Sequence, residues 1–293
     1  FYPSSHNIQH NIPFSDRDQQ KVAQYLLIRE MRLNPKGVAY NAPVDTMGCS
    51  QVGRRDLHPK IFRWETLVAL MLSSQTKDEV TANAIETLRD RLPSGLTPQS
   101  VIDNAELAHE CIKKVGFHNT KIKSIINAAT VCIQEYEGDI PPTYEELLKL
   151  PGVGPKMAHL TMSAAWNNIS GIGVDVHVHR ITNMLGWFNN DGPTKNPEST
   201  RVHLEKMLTK QYWNEINFLL VGFGQTICPS QRPQCDECLL SQNLLCQRDI
   251  NLKSKIQNLQ RDIEDLINDT NKMDKIMEEH KKNKKIASQN DKN

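Results

Sequence analysis

No stretch of the 293 residues comes near the roughly 18 consecutive apolar positions that a membrane-crossing helix needs, so no membrane span is expected. An excess of charge is also missing: 35 Lys and Arg stand against 34 Asp and Glu, a formal net charge of +1. Composition therefore gives no global argument for a nucleic-acid partner, and any surface that binds one has to be local. Secretory features are lacking, which removes the usual setting for a disulfide framework although seven cysteines are present. The first residue is Phe1 and not Met, so targeting is not judged from this end. What the chain does have is length: about 250 residues, enough to bury a good core, precede a tail of different composition.

The stretch around which the rest is organised is Leu150-Pro151-Gly152-Val153-Gly154-Pro155-Lys156. An apolar-periodic run containing Tyr144, Leu147, Leu148 and Leu150 stops there, and a second restarts with Met157, Ala158, Leu160, Met162 and Ala165. The pattern predicts a helix, a tight hairpin and a helix. Pro151 ends the first, Gly152 and Gly154 take conformations closed to other residues, and Pro155 suits the start of the second. Such a hairpin is either a plain helix–helix turn or a receiver of a phosphate oxygen, through its unpaired amides and the positive helix end. Lys156, at that helix start, is either a solvated phosphate-binding lysine or a nucleophile, a role open only to the neutral amine.

Downstream, Val174-Asp175-Val176-His177-Val178-His179-Arg180 precedes Ile181, Met184, Leu185 and Trp187 at helical spacing. Asp175 has three readings. It caps a helix; it faces Lys156, orienting or deprotonating the nucleophile and stabilising positive charge on a sugar ring; or it joins His177 and His179 in a metal face on a strand. The helical period beyond Arg180 argues against the strand.

Two turns upstream leave polar residues at the ends of apolar helices. Gln75 follows the helix predicted over 62–72 and either belongs to a simple loop in which Thr76 caps the helix over 77–88, or bonds an unpaired base in a groove. Phe117, with His118 and Asn119 beside it, is a core anchor or a wedge at the place of an extruded nucleotide. Lys121 and Lys123 fit phosphate contacts or a solvated face equally well. Cys49 stands alone, and Cys111 and Cys132 look like buried small hydrophobes. Cys228, Cys235, Cys238 and Cys246 are separated by six, two and seven residues. Four thiols so close suggest a metal site, and their spacing leaves zinc and an iron–sulfur cluster both open.

The hairpin through Lys156, Met157 and Ala158, the segment from Val174 to Arg180 and the cysteine cluster together resemble the endonuclease III family of DNA glycosylase/AP lyases. The eukaryotic endonuclease III-like form is most similar, through Met71-Leu-Ser-Ser-Gln-Thr-Lys-Asp78 and Pro151-Gly-Val-Gly-Pro-Lys-Met-Ala-His159, and Ala42-Pro43-Val44-Asp45 adds a further piece. The resemblance runs from about residue 19 to about residue 246. It implies an all-α, helix-hairpin-helix DNA glycosylase fold with a cysteine-ligated iron–sulfur loop. It implies that Lys156 is the nucleophile and Asp175 its essential carboxylate; the residue matching Val176 is commonly threonine. DNA contacts are implied for Gln75, Phe117, His118, Asn119, Gly152, Gly154, His177 and Arg180. Cys228, Cys235, Cys238 and Cys246 would hold a [4Fe-4S] cluster, with seven residues in the last gap where the family has five. The implied activity is removal of oxidised pyrimidines from damaged double-stranded DNA in base excision repair, with β-elimination through a lysine Schiff base. The alternatives are a helix-hairpin-helix DNA-binding or structural protein without catalysis, and an adenine-mismatch glycosylase.

The expected organisation is a flexible arm over 1–18, a helix and connection over 19–60 packing with the iron–sulfur domain, a helical domain over 61–190, the rest of the iron–sulfur domain over 191–250, and a helical tail over 251–293. In the tail, Leu252, Ile256, Leu259, Ile263, Leu266, Thr270, Met273 and Met277 alternate spacings of four and three. That heptad seam predicts a coiled coil, through self-association or a protein partner over 252–277, or a helix packed back on the domain. A basic run at 281–285 fits a nuclear address, DNA contact or a solvated end. The expected location is the nucleus, with the mitochondrion as a second compartment.

Overall fold

The computed structural model describes residues 13–15, 18–188, 192–246 and 261. The chain falls into two units, Phe1–Leu245 and Cys246–Asn293. Only Cys246 and Arg261 of the second unit are described, so the heptad seam and the basic run lie outside the described residues. Among the described residues every regular element is a helix, and one isolated bridge pairs Phe14 with Leu208.

In chain order the α-helices of the first unit are α1 (Gln19–Leu33), α2 (Pro43–Met47), α3 (Cys49–Val52), α4 (Pro59–Ser73), α5 (Asp78–Arg91), α6 (Pro98–Asp103) and α7 (Ala105–Cys111). They continue with α8 (His118–Tyr136), α9 (Tyr144–Leu147), α10 (Pro155–Trp166), α11 (Val176–Met184), α12 (Pro197–Met207), α13 (Trp213–Gln225) and α14 (Leu239–Gln242). The centre is α4. Its run from Trp64 to Leu72 is apolar on nearly every side, and such a helix must be covered on nearly every side. It packs against α3, α5, α8 and α10 in a core that includes Trp64, Leu67, Ile85, Ile112, Ile125 and Met162. Glu65 lies inside this helix, and its carboxylate is fully matched: Arg89 donates to both oxygens at 2.8 Å, and Arg54 N donates at 3.1 Å.

A second group of contacts gathers α1, α11 and α14 with α13, which packs against both α1 and α11. Phe14, in the stretch expected to be a flexible arm, is buried with its ring edge-on to Tyr25 and Trp187, at 6.2 and 5.1 Å between centroids.

The connection that follows α1 contains α2 and α3. Their local sequence has no period to announce them; tertiary contacts hold them. Arg32, fully buried, donates to both Asp45 oxygens at 3.1 and 2.6 Å and to Ala39 O at 2.7 Å, with its guanidinium 4.7 Å from the Phe218 ring centroid. Removing one partner of a buried ion pair strands the other charge. Asp45→Ala is expected to lower unfolding free energy by about 3 kcal/mol, measured by urea titration.

Candidate active site

The hairpin forms as its punctuation dictates. Thr143 caps α9 by accepting from Glu146 N at 3.3 Å, and the chain then turns through Val153 N donating to Leu150 O at 3.1 Å. Gly152 has φ +81°, and a Cβ there would sit 2.7 Å from Ser124 Cβ, so both conformation and space demand glycine. Gly154 corrects the sequence expectation. Its φ of −104° and ψ of 175° are open to any residue, and a Cβ would meet nothing within 4 Å. The second glycine leaves open room beside the start of α10 and is not required by the backbone. Behind the hairpin, Tyr144 stacks on His159 at 4.1 Å, joining the two helices. His159 Nδ1 lies 2.9 Å from Ser170 Oγ, and burial lowers the pKa of this imidazole.

Pro155 and Lys156 open α10, and Lys156 lies half-buried in a groove of about 1860 Å³ that Gln75, Asp78, Asp175, His177 and Asn217 also line. Among the described residues no hydrogen bond or ion pair joins the Lys156 amine to the Asp175 carboxylate, though both face this groove. Asp175 is the N-cap of α11 and accepts from Val178 N at 2.9 Å. The chain reaching it is held on both sides: Ile172 N donates to Glu205 Oε1 at 2.9 Å, and Asn217 Nδ2 donates to Gly173 O.

Because α11 starts at Val176, the strand that would aim Asp175, His177 and His179 one way does not exist. His179 turns to Thr200 Oγ1 at 2.7 Å, whereas His177 lines the groove, packed so closely on Gly224 that a Cβ there would lie 2.4 Å from Nδ1. The His177 Nδ1 atom is buried without a hydrogen-bond partner, and burial lowers its pKa against the opposing pull of the Asp175 charge. Arg180 does not line the groove. It donates to Cys228 O at 2.5 Å and approaches Cys228 Sγ at 3.7 Å.

Gln75 is exposed in the loop after α4, and Phe117 is 65% exposed immediately before α8. Phe117 is thus no core anchor. His118 Nδ1 lies 2.9 Å from His109 Nε2, and Asn119 is exposed beside it. Thr76 does not cap α5, whose N-cap is Lys77 without a side-chain bond. Lys121 is the residue that sequence reasoning missed: it is no phosphate contact or solvated lysine but 7% exposed, with its ammonium on Leu72 O, Ser74 O and Thr76 Oγ1. Burial pushes its pKa down to about 8. No local signal marks it, because its acceptors lie more than forty residues away.

Cys228 and Cys238 are buried and Cys235 is half-buried; Cys246 opens the second unit. Soft thiol donors suit an iron–sulfur cluster, and an arginine N–H at Cys228 Sγ is the kind of contact that supports a ligating thiolate. Among the described residues no three His, Cys, Asp or Glu side chains are drawn together as a metal site.

With this geometry in place, the chain can be set beside known proteins. Residues 68–210 match a family profile described as HhH-GPD superfamily base excision DNA repair protein. Endonuclease III-like protein 1 of Gallus gallus is 51% identical over 72% of this chain and 72% of its own length. The endonuclease III homolog of Schizosaccharomyces pombe is 50% identical over 73% of this chain and 59% of its own, so the chain spans well under two thirds of that relative. A solved structure of a trapped endonuclease III–DNA covalent intermediate, an estranged-adenine complex, superposes with a TM-score of 0.61 at 26% identity, covering 81% of this chain and 98% of that one. A shared helical frame, a glycine hairpin leading into a lysine and an aspartate-capped helix on the same groove agree with sequence identity near one half: the chain belongs to the endonuclease III family of base excision repair DNA glycosylases.

Proposed function

We propose that this chain is bifunctional, releasing oxidised pyrimidines from duplex DNA and then cutting the strand at the resulting site. The observation that carries the reading is the placement of Lys156 and Asp175 on one groove, at the starts of the two helices that bound the 167–175 linker. The neutral Lys156 amine attacks the anomeric carbon, and the damaged base leaves with the electrons of the glycosidic bond. Asp175 stabilises the positive charge that develops on the sugar and takes up the proton released from the amine. Ring opening gives a Schiff base, which acidifies the adjacent C2′ hydrogen; loss of that proton expels the 3′ phosphate and breaks the strand. The hairpin amides at Gly152 and Gly154 hold the backbone, while Gln75 and Phe117 occupy the space of the extruded nucleotide, with His118, Asn119 and His177 contacting DNA nearby. A covalent protein–DNA intermediate has been trapped in the similar solved structure, which supports this chemistry. Borohydride trapping and strand cleavage across duplexes carrying oxidised pyrimidines, adenine mismatches or no lesion test it. Cleavage confined to adenine mismatches, without an adduct, would reject it.

Cys228, Cys235, Cys238 and Cys246 would hold a [4Fe-4S] cluster through their four thiolates, and a bound cluster would supply the iron that ties those cysteines together and orders the loop containing Arg232. Anaerobically purified protein is expected to contain about four iron and four sulfide per chain. Stoichiometric zinc without sulfide would reject the assignment, and a Cys246→Ala protein tests the fourth ligand separately. For the tail over 252–277 the proposal is self-association or a protein partner, read by sedimentation over a concentration series. The nucleus, with the mitochondrion, is the proposed location.

A further inference from the structure

Gln75 borders the main groove and also a smaller cavity of about 280 Å³, which Phe117, Lys121, Ser124 and the hairpin residue Gly152 help to line. We infer that Lys121 is a positioning residue that couples the Gln75 loop to the Phe117 loop, so that the two side chains enter a duplex as one unit. This rests on the reading that both occupy the space of an extruded nucleotide.

The last carbonyls of α4 have no partner within the helix, as at any helix end. Lys121 reaches across from α8 to supply one. Its ammonium has three N–H groups and three acceptors: Leu72 O at 2.7 Å, Ser74 O at 2.6 Å and Thr76 Oγ1 at 3.1 Å. Those acceptors flank Gln75 on both sides. The same residue is tied to the other loop by its main chain, because Lys121 N donates to Phe117 O at 3.0 Å. One lysine therefore holds the residues on either side of Gln75 through its side chain and Phe117 through its backbone.

The loops also meet directly. Gly116 N donates to Thr76 Oγ1 at 3.2 Å, and a Cβ on Gly116 would lie 2.8 Å from Gln75 O, so no side chain fits between them. Gln75 and Phe117 both adopt left-handed backbones, with φ of 51° and 58°. Residues with side chains persist there only when their surroundings impose it. Here the clamp is inside and the two side chains are outside. Lys121 is buried while Gln75 and Phe117 are exposed, which is the arrangement of a fixed base bearing two projecting groups.

A double-mutant cycle separates coupling from simple stabilisation. Full-length protein, Lys121→Met, Gln75→Ala and the double variant are compared in single-turnover base release, on duplexes with an oxidised pyrimidine opposite 2-aminopurine. Fluorescence of the 2-aminopurine reports its unstacking. Lys121→Met is expected to slow base release about tenfold, the scale of a small displacement of positioned groups, and to reduce the fluorescence rise. In the Gln75→Ala background the same change should cost no more than about twofold. An equal loss in both backgrounds would overturn the coupling and leave Lys121 a structural residue. A Gln75→Ala protein with normal rate and fluorescence would instead overturn the placement of Gln75 in the duplex, and the coupling with it. Thr76→Val removes one junction of the clamp without opening the buried site, so it provides the same cycle if Lys121→Met does not fold; a loss that persists undiminished with Gln75→Ala would again overturn the proposal.

Discussion

Lys156→Ala is expected to give no borohydride-trapped protein–DNA adduct and to lower single-turnover strand cleavage by about 10³-fold or more, since the amine that forms the bond is removed. The fold should hardly respond. Lys156 is half-buried and its amine makes no hydrogen bond or ion pair among the described residues, so truncation leaves no polar group stranded and should change unfolding free energy by less than about 0.5 kcal/mol. The hairpin amides remain, so lesion-duplex binding should persist. Undiminished trapping in this variant would sink the assignment of Lys156.

For Asp175 two substitutions divide two duties. Asparagine keeps an oxygen for Val178 N, so the α11 cap survives, but it removes the charge that faces the groove. Asp175→Asn is expected to bind damaged duplex normally while single-turnover base release falls about 10²-fold. Asp175→Ala should show the same catalytic loss and, in addition, lose about 1 kcal/mol of stability with the cap. A near-normal single-turnover rate for the asparagine variant would reduce Asp175 to a helix cap.

The parts of the site written in backbone punctuation were legible in the sequence. Pro151, Gly152 and Pro155 mark the hairpin because they restrict or free the chain locally, and Asp175 marks a helix start for the same reason. Parts that depend on distant partners were not. Lys121 reads as one more surface lysine until α4 brings three acceptors to it, and Gly154 reads as a conformational necessity although its backbone is ordinary. Gln75 and Phe117 take left-handed backbones without being glycine, so nothing at those two positions announces the conformation. Likewise α2 depends on Arg32, whose burial no local period predicts.

The approach to Asp175 bears on how such a protein travels along DNA. Its last residues are fastened at Ile172 to α12 and at Gly173 to α13. Fixing one residue's backbone costs about 1–2 kcal/mol, and here that cost is met once, when the chain folds. A repair protein passes many sound nucleotides for every damaged one. On the proposed role of Asp175, each inspection then requires ordering in the nucleotide rather than in this linker.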